Sequence, residues 1–211
     1  MARQLLAKVG AQKDDTVLVG TDAEGPLAMA LGILRLEMGR ELKLVDEKAW
    51  RFLWVTDFPL FERDSSGRLV SVNHPFTAPR DEDLPLLDSD PAKVRAKAYD
   101  VVLNGLEAGG GSLRIHDSTL QAKIFKLLSL TDEETRERFG FFIEALQYGT
   151  PPHGGIALGL DRLVMLMAGE SSLRDVIAFP KTASANDLMS GSPSPVPEAQ
   201  LRELGVLVVK G

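Results

Sequence analysis

Asn104-Gly105 sits between two apolar runs in the segment 99-YDVVLNGLEAGGGSLRIHD-117. A two-residue type I′ turn needs positive φ at both central positions, and Asn-Gly meets that need at low steric cost. The segment is therefore expected to double back as an antiparallel hairpin. Pairing outward from the turn sets Leu103 opposite Leu106, Val102 opposite Glu107, Val101 opposite Ala108 and Asp100 opposite Gly109. Side chains alternate faces along a strand, so Asp100, Val102, Glu107 and Gly109 share one face. Two carboxylates there repel unless something positive sits between them, and a divalent cation carrying phosphates fits that role. The bland reading is a solvated face with two ordinary acids. The consecutive Gly109, Gly110 and Gly111 weigh against it, since glycine weakens a strand unless a backbone or ligand comes close. Strict alternation puts Arg114 on the face opposite Glu107; a bulge in the glycines would bring it round.

A second stretch, 153-HGGIALGLDRL-163, raises the same question of bare backbone. Read as a strand over 154–160, it places Gly155, Ala157 and Gly159 on one face and Ile156, Leu158 and Leu160 on a core face. A flat ligand can lie against the bare side. Arg162 follows at the strand-to-helix junction, beside backbone donors that favour anions. Close helix–strand packing with an exposed arginine is the competing account.

The rest of the chain frames these two segments. Residues 2–9 read as a helix ended by Gly10, 16–20 as a strand and 26–39 as a helix. One strand cannot satisfy its own ladder, so its partners are expected upstream of Met1. A boundary falls near 45–50. Strands are expected at 52–58 and at 70–80 around a turn at 62–69, with a Pro-initiated helix at 91–100. Thr131 and Glu134 form a capping box for a helix reaching about Tyr148, and a last strand is expected at 175–179. Trp50, Trp54, Phe139, Phe141 and Phe142 are expected in the core. Strands in succession with few helices between them argue for an α+β fold whose antiparallel or mixed sheet is flanked by helices, rather than a doubly wound parallel sheet.

Composition narrows the function classes. A net charge of −6 supplies no bulk basic field for nucleic acid. With no cysteine and only His74, His116 and His153, a metal would be a hard cation on carboxylates. The lack of cysteine suits a reducing, cytoplasmic setting. No run is apolar enough to span a bilayer, and the polar start is no signal peptide.

These segments carry a resemblance. GIALGLDR, from Gly155 to Arg162, resembles motif 3 of class II aminoacyl-tRNA synthetases. WVTDFPLFE, HPFTAP, the hairpin segment, FGFFIEALQYGTPPHGGIALGLDRLVML and DVIAFPKTASANDLMSGSPSPV together resemble the bacterial aspartyl-tRNA synthetases over about residues 48–211. The first 45 residues resemble the end of the insertion domain of those enzymes. The implied organisation is 1–46 as part of a small α/β insertion domain and 47–211 as the C-terminal half of a class II catalytic domain.

The resemblance implies an aspartate–tRNA ligase that uses ATP and Mg2+, acts on L-aspartate and tRNA, and is usually a homodimer. Arg162 would bind ATP phosphate, with Gly159, Leu160 and Asp161 completing that turn. Glu107 and Asp100 would hold the magnesium. Arg114 would read the aspartate side-chain carboxylate, and His74 would touch the amino acid. The family carries a histidine pair where this chain has Asn73-His74. Motifs 1 and 2 and the anticodon-binding barrel find no match, so the chain is expected to be a fragment inactive by itself. An ATP-dependent amide-forming enzyme of class II fold and a non-catalytic binding module stay open as alternatives.

Overall fold

The computed structural model describes residues 2–22, 24–46 and 48–209. The chain divides into two compact units, Met1–Trp50 and Arg51–Gly211. In the first, helix α1 (Ala2–Lys8) stops at Gly10 with φ +68°, and α2 spans Glu24–Glu41. Residues 16–20, expected as a strand, form none. Among the described residues this unit offers no second strand to complete a ladder, and a Cβ on Gly20 would stand 2.6 Å from the Leu27 side chain instead.

Among the described residues the second unit holds six strands: β1 (Phe52–Thr56), β2 (Phe61–Arg63), β3 (Leu69–Ser71), β4 (Ala98–Leu103), β5 (Leu106–Leu113) and β6 (Gly154–Leu158). Its helices are α3 (Leu86–Ser89), α4 (Ser118–Leu127), α5 (Asp132–Leu146), α6 (Leu160–Ala168) and α7 (Glu198–Glu203). Strands β1, β4, β5 and β6 form an antiparallel sheet in the order β1-β4-β5-β6, and β2 and β3 form a separate hairpin. No helix among the described residues is long and apolar enough to cross a membrane.

The β4–β5 turn is the expected one: Asn104 and Gly105 have φ +51° and +84°. The α5 capping box is also present, with Thr131 Oγ1 accepting from the Glu134 amide and the Glu134 carboxylate accepting from the Thr131 amide. The expected helix at 91–100 shrinks to a 3-10 turn, Pro91–Lys93, because Tyr99 to Leu103 are paired on both sides, by β1 and by β5. The expected strand at 70–80 ends at Ser71; Pro75 and Pro79 have no amide to donate, and the segment joins its neighbours through isolated bridges such as Pro79↔Ala96. The last expected strand is absent, with a 3-10 turn at Leu173–Asp175 in front of an irregular loop.

The core lies to one end of the sheet. Leu60, Phe61, Leu87, Val94, Ala96, Ala98, Ile115 and Ile124 pack there, drawn from the β2–β3 hairpin, α3, β4 and α4. An ion pair fixes the loop leading into β4: Arg95 donates from Nε (2.8 Å) and Nη2 (2.9 Å) to the buried Asp83 carboxylate, which those bonds hold at a pKa of about 2. Of the aromatic residues expected in the core, Phe139 and Phe142 are half-buried, while Trp50, Trp54 and Phe141 are exposed. Ile156, Leu158 and Leu160 are likewise exposed, so the face of β6 expected to be core is open.

The glycines of the sheet differ in what surrounds them. A Cβ on Gly111 would fall 1.9 Å from the Gly155 carbonyl oxygen across the ladder, whereas a Cβ on Gly155 would meet nothing within 4 Å. Gly111→Ala is therefore expected to cost about 3 kcal/mol, since backbone must move. Gly155→Ala should stay within about 0.5 kcal/mol. Urea unfolding of the two variants measures the contrast; equal losses would contradict the close β5–β6 approach.

Candidate functional site

The site is built on one face of the four-stranded sheet. Cross-strand partners share a face. Asp100 pairs with Gly110, which pairs with Ala157; Ala98, Ser112 and Gly155 form the next row, and Val102 with Glu107 the row on the other side. Asp100, Glu107, Gly110, Gly155 and Ala157 thus lie on the same side.

The register differs from the simple pairing at one place. Beyond Val102↔Glu107 the next partners are Val101↔Gly109 and Asp100↔Gly110, leaving Ala108 as the extra residue of a β-bulge. The expected partner of Asp100 was Gly109, and the expected bulge lay in the glycines. The observed bulge has the consequence asked of that one: by alternation Gly110, Ser112 and Arg114 now follow the Asp100 face.

Over Gly110 the two carboxylates converge. A Cβ there would stand 2.4 Å from Asp100 Oδ1 and 3.6 Å from Glu107 Oε1. Only glycine leaves this space open. Burial, and then the neighbouring Glu107 charge, push the Asp100 carboxyl above the ordinary range. A positive group stands beside the pair: Arg162 Nη1 donates to the Glu107 carbonyl oxygen at 2.7 Å and lies 3.4 Å from Glu107 Oε2.

Arg162 is positioned by the start of α6. Gly159 is the N-cap; its amide donates to the Ala108 carbonyl at 2.9 Å, and its own carbonyl accepts from the Leu163 amide at 3.0 Å. The bulge residue of the hairpin therefore anchors the helix that carries the arginine. Leu160 and Asp161 are exposed in the first helical turn.

A second group gathers around Arg114. The residue is half-buried, and its Nη1 is inaccessible and without a hydrogen-bond partner. His74 stands close enough that burial, and then the Arg114 charge, lower its pKa below the usual value. The Phe76 amide donates to His74 Nδ1 at 3.3 Å. Phe76 is wedged against Phe142, Phe139 and Phe125, with centroids at 4.1, 5.3 and 6.0 Å. Gln121 Nε2, from α4, donates to the Pro75 carbonyl at 3.0 Å. Sequence reasoning passed over Gln121 and Phe76. The signal for Gln121 was present: it lies three residues before Ile124, a polar residue on the apolar face of a helix.

Among the described residues no group of three or more His, Cys, Asp or Glu could hold a metal. A cation here would have the Asp100 and Glu107 oxygens and would need its other ligands from a bound molecule. Hard oxygen donors around an open glycine suit magnesium on phosphates.

The family described as tRNA synthetases class II (D, K and N) matches this chain over residues 6–183. The Aspartate–tRNA(Asp/Asn) ligase of Anoxybacillus flavithermus is 57% identical over 203 residues, covering 96% of this chain and 34% of that protein. The Aspartate–tRNA ligase of Listeria monocytogenes is 54% identical over 210 residues, covering 99% and 36%. The chain spans about a third of the length of these curated relatives. Among solved structures, an aspartyl tRNA synthetase from Entamoeba histolytica aligns with 87% of this chain and 30% of that one, at 24% identity and a TM-score of 0.49.

The raised Asp100 pKa has a definite sign. The folded state holds the Asp100 proton more tightly than the unfolded chain does, so its favourable contribution is present below pH 3.8 and is lost as the pH rises. Asp100→Asn is expected to melt higher than the parent at pH 7, with the gap closing below pH 3.8. Melting curves across that range would contradict the crowded-carboxylate account if the gap were absent or reversed.

Proposed function

This chain belongs to the class II tRNA synthetases of the D, K and N group, and from that premise we propose that it serves aspartate–tRNA ligation, supplying the surface that seats ATP and the aspartate side chain. The observation that carries the reading is the convergence of Asp100 and Glu107 over Gly110 beside Arg162. In the reaction, an α-carboxylate oxygen of aspartate attacks the α-phosphorus of ATP. A new P–O bond forms, the bond to the β-phosphate breaks and pyrophosphate leaves. A ribose hydroxyl at the tRNA 3′ end then attacks the acyl carbon, and AMP leaves.

The residues have distinct parts in this scheme. Arg162, fixed through Gly159 and Ala108, places a guanidinium where a phosphate can accept from it. The open backbone at Gly155 and Ala157 gives a flat base room to lie, with Gly159 and the start of α6 at its edge. Asp100 and Glu107 would hold a magnesium ion, whose charge offsets that of the phosphates when bound. Arg114 follows β5 on the Asp100 face, where its half-buried guanidinium would meet a carboxylate in the substrate, and His74 borders the same place. No side chain here is assigned proton transfer; rate enhancement rests on positioning and charge.

We assign residues 1–46 to the insertion domain and 47–211 to the catalytic domain, with tRNA and a second copy as partners of the complete enzyme. The reading is tested by titrating the chain with two non-hydrolysable adenylates, aspartyl-sulfamoyl-adenosine and its asparaginyl counterpart. The aspartyl compound should bind at least about tenfold more tightly, the value of one well-formed charged hydrogen bond over its neutral replacement. Arg114→Leu should erase the preference. Equal affinity in the parent chain would overturn the assignment of aspartate as substrate.

A further inference from the structure

Strand pairing runs out just short of His74. Past the end of β5, the Thr77↔Arg114 bridge prolongs the ladder. The Ala78 amide donates to the Leu113 carbonyl and the Ile115 amide to the Phe76 carbonyl, both at 2.9 Å. The next carbonyl toward His74 is that of Pro75, where the facing chain leaves the ladder and enters α4 at Ser118. Gln121, on that helix, takes over as partner: its Nε2 donates to the Pro75 carbonyl at 3.0 Å.

His74 to Thr77 form a β-turn. The Thr77 amide donates to the His74 carbonyl at 3.0 Å, and Pro75 holds the second position. The central peptide of the turn joins Pro75 to Phe76, and both of its polar groups are used. Its carbonyl accepts from Gln121, and its amide donates to His74 Nδ1 at 3.3 Å. A trans peptide carries its C=O and N–H in opposite directions, so fixing one aims the other. A ring nitrogen that accepts is unprotonated, so the proton of neutral His74 sits on Nε2.

Packing alone does not call for glutamine at this place. Gln121 is 1% exposed, and its Oε1 has no hydrogen-bond partner. Turning the amide would set that oxygen against the Pro75 carbonyl. Methionine would fill similar space without an orphaned acceptor.

We propose that Gln121 is a positioning residue for the amino-acid seat: through the Pro75–Phe76 peptide it keeps His74 in the Nε2–H tautomer beside Arg114. The use of that N–H toward aspartate rests on the function proposed above; the tautomer does not.

Long-range 1H–15N correlation of the histidine rings tests it in the 211-residue chain. Spectra are taken at about pH 8, above the ordinary histidine pKa of about 6.5, and the His74 signals are assigned by their loss in His74→Gln. The parent should show the Nε2–H pattern. Gln121→Met and Gln121→Leu fill the space without a donor, and should move His74 toward the tautomer mixture of a free imidazole. Both should melt within a few degrees of the parent. They should bind aspartyl-sulfamoyl-adenosine about fivefold more weakly, the net worth of one hydrogen bond, with ATP affinity unchanged. An Nδ1–H parent, or variants that keep the parent pattern, would overturn the proposal. A moved tautomer with unchanged aspartyl affinity would overturn its bearing on the amino-acid seat. A parent chain with no preference for the aspartyl compound would overturn the substrate assignment and leave the tautomer result standing.

Discussion

The Ala108 bulge governs the arrangement of the site. Without it, Asp100 would face Gly109 and Arg114 would fall on the other side of the sheet. With it, the carboxylates meet over Gly110, and the Ala108 carbonyl is free to take the Gly159 amide at 2.9 Å. That one bond joins the hairpin to α6, and α6 carries Arg162 back to Glu107. An extra residue in a strand usually disrupts a ladder locally. Here the disruption turns a carbonyl toward the helix start and brings Asp100, Glu107 and Arg114 to one side of the sheet.

The glycines complete the arrangement by different means. Gly111 lets β6 approach, since any side chain would collide with the Gly155 carbonyl. Gly110 opens the space between the carboxylates. Gly159 differs from both: it begins α6 with φ −76°, an ordinary backbone value, and a Cβ there would make only ordinary contacts, the nearest at 3.5 Å with Arg162 Cδ. Glycine was legible as a demand for closeness, but which neighbour each one admits depends on the register.

Much of the site could be read from sequence. Asn104-Gly105 fixed the hairpin because few dipeptides accept two positive φ angles, and alternation then placed Asp100 with Glu107. The bulge was foreseen only as a need, and its position was not, since nothing about Ala108 distinguishes it until Gly159 arrives from fifty residues away. Local patterns failed where tertiary pairing decided the outcome. Pro91 marked a helix start, yet Tyr99 to Leu103 were claimed by two neighbouring strands. The apolar run at 16–20 gave no strand because a strand needs a partner, and sequence pattern cannot supply one. Trp54 read as core because it is aromatic, and Ile156 and Leu158 because of alternation, but all three are exposed.

We propose that Asp100 and Glu107 form a magnesium-dependent seat for ATP with Arg162. Calorimetric titration of ATP into the chain, with and without magnesium, measures it most directly. Magnesium should tighten ATP binding, Glu107→Gln should remove that gain, and Arg162→Ala should weaken binding in both conditions. ATP binding that ignored magnesium, or a Glu107→Gln variant that kept the full magnesium effect, would contradict it.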